Sequence, residues 1–140
     1  MMDASHSEIA REIAFAASAF ELLVTGHSPK SVTVVLSDQT LVITLHGALS
    51  PAEQVLVKSP AGAAQVQAFH QQLIATATDP FLQEITRITG VAVLQATSDV
   101  AVTTSAVVML SAPGTKVHVF LLGGSVPVCT WSGNGQVEAA

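Results

Sequence analysis

The chain has 140 residues, 49% hydrophobic and only 11% charged, with a net charge of −5 and a mean hydropathy of +0.54. That length sets one domain with a real core as the expectation, while five scattered basic residues and 4% aromatics exclude an ordinary nucleic-acid binder. Ordinary soluble domains carry about a quarter charged residues, so apolar contact surfaces and self-association, as a dimer, are expected here.

A spanning helix needs about 20 apolar residues in a row. The longest charge-free stretch follows Lys116 and is broken by Gly123, Gly124, Pro127, Gly133 and Gly135, so no membrane span is expected. Met1–Arg11 carries Asp3, His6 and Glu8 where a secretory signal would be basic and then apolar. Cys129 is the single cysteine, which rules out an intrachain disulfide. A cytoplasmic location is the expectation.

Ser5 and Glu8 have capping-box spacing, and Ile9, Ile13, Ala16, Phe20 and Leu23 form a helical stripe. A first helix is expected over Ser7–Thr25, ended by Gly26 and Pro29. Ser31–Ser37 and Leu41–His46 alternate in hydropathy around the polar Ser37-Asp38-Gln39-Thr40, which predicts an antiparallel hairpin. Ser50-Pro51-Ala52-Glu53 combines an N-cap, a first-turn proline and a capping-box glutamate. Ser59-Pro60 and Asp79-Pro80 repeat the cap-and-proline device. They predict a longer helix with Val66, Phe69, Leu73 and Ala77 inward, then a short one bearing Phe81, Leu82, Ile85 and Ile88 up to Gly90. From Val91 the period is two. Strands are expected over Val91–Ala96, Thr103–Leu110 and Lys116–Leu122, with turns at Ser98-Asp99 and Pro113-Gly114. Both strand faces are apolar, which suggests an interface or burial on both sides. The fold class is therefore α+β, with helices on one face of an antiparallel sheet. The domain spans residues 1–122, and a Gly-, Ser- and Pro-rich tail follows over 123–140, with Val126–Trp131 as the part that could be pinned down.

The chain shows no phosphate loop, no nucleophile elbow and no metal-ligand spacing, so neither a cofactor nor a metal is expected. His46, His70 and His118 could serve a metal-assisted enzyme only if folding brought them together. Glu53 and Asp99 could be read as an acid/base pair, but the capping box and the turn account for them, which leaves them as weak binding candidates. Lys30, in the tight Gly26-His27-Ser28-Pro29-Lys30-Ser31 corner, is the best candidate for holding an anion or a partner's carboxylate, with Ser28 beside it.

Gly26-x-x-Pro29-Lys30-Ser31, Gly47-x-Leu49-Ser50-Pro51-Ala52-Glu53, Ile88-Thr89-Gly90-Val91 and Ser98-Asp99 occur in order over about Glu8–Leu110 and resemble the MpsC-like family. That bacterial family is named for the third component of a sodium-translocating, membrane-potential-generating system, and related systems are linked to inorganic-carbon uptake. The resemblance implies an accessory protein of a membrane transport complex, peripheral to the inner membrane on the cytoplasmic side. It carries over no catalytic residue. Ala61–Ala77, which lacks any Lys, Arg, Asp or Glu, departs from the family's charged middle helices, and the segment after Pro113 looks like an addition. The function expected is a non-enzymatic interaction domain. The alternatives are a small-ligand or anion sensor and a histidine-based metal enzyme.

Overall fold

The computed structural model describes residues 2–101 and 114–134, with side chains from residue 8 onward. Its elements are α1 (Met2–Thr25), β1 (Ser31–His46), α2 (Pro51–Leu56), α3 (Pro60–Thr89), β2 (Val93–Val100) and β3 (Lys116–Gly133). The class is α+β, with an antiparallel three-stranded sheet in the order β1-β3-β2. Helices α1 and α3 pack on one side of it, around Ile13, Phe20, Leu36, Ile43, Phe81, Ile85, Phe120 and Leu122.

The expected hairpin does not form. Ser31–His46 is one strand whose two halves pair not with each other but with β3, Val32–Leu36 against Cys129–Gly133 and Thr40–Leu45 against Lys116–Leu121. The pattern that suggested a turn has another cause. Val32, Val34 and Leu36 are fully buried, and so are Leu41, Ile43 and Leu45. Side chains alternate with a period of two, so an odd step from Leu36 to Leu41 would place the second set on the wrong face of a regular strand. The phase change is absorbed at an irregular pairing around Asp38, which has φ +58°, while β3 takes up more residues than β1 across the bend.

Three further expectations are corrected. Strand β3 continues to Gly133, so the first eleven residues of the supposed tail are strand, with Val126 and Cys129 buried. Ser98 and Asp99 lie inside β2 rather than in a turn. Asp79-Pro80 starts no new helix, because α3 runs unbroken through Pro80 to the C-cap Gly90 at φ +77°. An interior proline costs roughly 3 kcal/mol. Phe81 and Ile85 offset it, since burying such a side chain contributes about 1.5–3 kcal/mol. Phe81 stacks on Phe20 with ring centres 4.7 Å apart and meets Phe120 edge-on at 5.8 Å. The expected strand Thr103–Leu110 and the end of the tail lie outside the described residues.

Two helical stripes are also rotated from expectation. In α1 the buried side is Ala10, Ile13, Ala14, Ala17, Phe20 and Glu21, while Leu23 is exposed. In α3 it is Ala63, Val66, His70, Phe81 and Ile85, and Phe69 faces out. The first helix begins at Met2, so Ser5 and Glu8 fall inside it.

Candidate functional site

The four residues singled out in sequence fall at two places. Lys30 and Ser28 occupy the corner between α1 and β1. The Lys30 amide donates to the His46 carbonyl at 2.7 Å, and its alkyl stem lies against Gly47, where an added Cβ would sit 2.7 Å from the lysine Cγ. The stem therefore covers backbone while the ammonium, in an exposed residue, has no ion-pair partner among the described residues. Ser28 is half-buried and its hydroxyl makes no hydrogen bond among the described residues.

Glu53 and Asp99 are both tied to the first half of α3. The Ser50 amide donates to Glu53 Oε1 at 2.9 Å and the Glu53 amide donates to Ser50 Oγ at 3.3 Å, which completes the capping box. The other carboxylate oxygen accepts from His70 Nε2 at 2.7 Å. Burial pushes the Glu53 carboxyl up, but the Ser50 N–H and His70 outweigh it and hold it below the ordinary carboxylate range. One carboxylate thus caps α2 and clamps it to α3. Asp99 Oδ1 accepts from Gln67 Nε2 at 3.2 Å and from the Val100 amide at 2.9 Å.

His46, His70 and His118 are not brought together. His46 Nε2 bonds Thr33 Oγ1, His70 bonds Glu53 and His118 Nδ1 bonds Ser98 Oγ at 2.5 Å. Among the described residues no three His, Cys, Asp or Glu side chains are grouped to hold a metal.

The covered face of the sheet holds polar groups that sequence reasoning missed. Lys116 and Glu21 are both fully buried, and Lys116 Nζ donates to Glu21 Oε1 at 2.9 Å. Glu21 Oε2, His70 Nδ1 and His118 Nε2 are buried atoms without a hydrogen-bond partner. The signal was present in both elements: Glu21 continues the Ala10, Ala14, Ala17 phase of α1, and Lys116 and His118 share the alternating phase of Phe120 and Leu122.

The opposite sheet face carries no helix among the described residues. By alternation it presents Val35, Val42, Val117, Val119 and Leu121 among threonines Thr33, Thr44, Thr97 and Thr130. Val35, Val119 and Leu121 are 37%, 38% and 41% exposed. Leu94, also exposed, lies over Gly123, whose added Cβ would meet it at 3.4 Å.

These features define a small α+β domain with one sheet face closed by helices and the other, largely apolar, without a covering helix among the described residues. No helix among the described residues is long and apolar enough to cross a membrane. The chain belongs to the MpsC family: residues 5–112 match the family described as the Na+-translocating membrane potential-generating system (MpsC). No curated protein and no solved structure shows significant similarity.

Proposed function

We propose that this chain is a non-catalytic accessory subunit serving a Na+-translocating membrane system from the cytoplasmic side, and that it works as a homodimer joined through the open sheet face. The carrying observation is that face, where large apolar side chains on adjacent strands stand in solvent. Contiguous exposed apolar surface on a soluble chain marks a contact site. The occupant that fits is a second copy. Away from the bend the face carries, among the described residues, Asp99 and His46 as its ionisable groups and no lysine or arginine, so an identical face meets it with little repulsion and an anionic lipid surface gains nothing from it. The family description supplies the membrane system.

Light scattering on the purified chain tests the association. The expected mass is twice the 14.4 kDa of one chain, and Val119→Lys with Leu121→Lys lowers it to the single-chain value while the circular dichroism spectrum is kept. A wild-type mass of 14.4 kDa across working concentrations overturns the dimer. The accessory role is tested separately, by Na+-dependent membrane potential in cells lacking the chain. An unchanged potential overturns it.

A further inference from the structure

The geometry points to a binding site for a small primary amine, taken as its ammonium ion, in the cavity between the middle of α3 and strands β2 and β3. The cavity measures about 240 Å³ and is lined by Thr78, Asp79, Phe81, Ser98, His118 and Phe120, with small and aliphatic side chains filling the remaining wall. That is below the roughly 300–1,000 Å³ of sites for drug-sized ligands, so the occupant is small.

The lining is unusual in one respect. His118 is 2% exposed, its ring is held by Ser98 through Nδ1, and its Nε2 has no partner. Buried polar atoms are nearly always satisfied, by protein, water or ligand. A single water could bond Nε2, but the cavity holds far more than one water and its other walls carry further polar groups.

Charge decides the class of ligand. Asp79 is the one formally charged side chain in the lining. Lys116, two residues along β3 on the same face, has its ammonium engaged by Glu21 inside the core. An anion would therefore meet the Asp79 carboxylate in the lining, with the Lys116 ammonium already paired to Glu21. An ammonium finds that carboxylate at the exposed rim, the aromatic side chains of Phe81 and Phe120 in the lining, and the Nε2 lone pair that a neutral His118 imidazole has in the tautomer whose Nδ1–H donates to Ser98. Burial, with Lys116 adding to it, pushes the His118 pKa down to about 3, so the ring is neutral and free to accept.

The test uses the full chain labelled with ¹⁵N and follows the histidine ring nitrogens during titration with benzylamine at neutral pH. Benzyl alcohol and benzoate serve as matched neutral and anionic probes. Benzylamine should shift the His118 nitrogens saturably, benzoate should not, and Asp79→Asn should weaken the amine by about tenfold. Ala96 lines the cavity at an exposed position, so Ala96→Leu should fold, fill the space and abolish the shift without touching His118. Silence of the His118 signals, an equal response to benzoate or benzyl alcohol, or full binding by Ala96→Leu would each overturn the assignment.

Discussion

The two faces of the sheet invert the usual division of labour. The covered face, sealed by α1 and α3, contains a lysine, a histidine and the glutamate that meets the lysine. The uncovered face is mostly valine, leucine and threonine, with Asp99 and His46 among them. Adjacent residues of one strand show the contrast: His118 and Phe120 are buried, while Val119 between them is 38% exposed. Polar chemistry placed where water cannot reach is held in fixed geometry, and apolar surface placed where water can reach remains available for association. A difference in the response of the two faces to mutation is what the comparison requires.

The largest effect should come from the covered face. Glu21→Gln or Lys116→Met alone leaves an uncompensated buried group and should cost about 3–5 kcal/mol by denaturant unfolding. Glu21→Leu combined with Lys116→Met should recover most of that loss, because a well-packed apolar pair replaces a buried ion pair at little cost. Additive losses in the double variant would show that shape, not charge, dominates the site.

His118 gives the next effect, and it has a sign. Its folded pKa of about 3 lies below the ordinary 6.5, pushed there by burial and by Lys116 on β3, while Asp79 on α3 lines the same cavity and Glu21 on α1 pairs with Lys116. Between those values the unfolded chain binds a proton that the folded chain refuses. Stability is therefore fully present above pH 6.5 and falls on acidification toward pH 3, by up to roughly 1.4 kcal/mol per unit. Urea midpoints across that range should show the slope in the wild type and a shallower one in His118→Phe. The lowered Glu53 carboxyl adds a further loss as pH falls through its own folded value.

Ser50→Ala, at the N-cap of α2, should cost about 1 kcal/mol, the usual worth of an N-cap, with the dimer intact by light scattering. The smallest effect on folding belongs to the open face. Val119→Ala should change monomer stability by no more than about 0.5 kcal/mol, yet weaken association. A loss comparable to that of a core truncation would mean that Val119 is covered within its own chain.

How much of this was legible depended on whether the information was local. The cap at Ser50, the helix stop at Gly90 and the apolar alternation of β1 and β3 are local, and each has its counterpart in the fold. The hairpin was misread because a phase change in hydropathy has two solutions, a turn or a bulge. Only the existence of a long partner, β3, decides between them. Pro80 was misread for a similar reason, since the gain that outweighs its cost is the packing of Phe81 against Phe20 on α1, 61 residues earlier in the chain. Lys30 stood out as a lone cation, whereas Glu21 and Lys116, 95 residues apart, looked unrelated until the fold joined them.

The strand order has a temporal meaning. Each described strand pairing runs through β3, which begins at Lys116, beyond the last residue of the family match at 112. During synthesis β1 and β2 therefore leave the ribosome without the strand that will separate and bind them. The inward-facing Leu36, Leu41, Ile43 and Leu45 of β1 wait until Lys116 and the residues after it have been made. A chain stopped after residue 112 would keep every residue by which the family is recognised and lose both ladders of the described sheet.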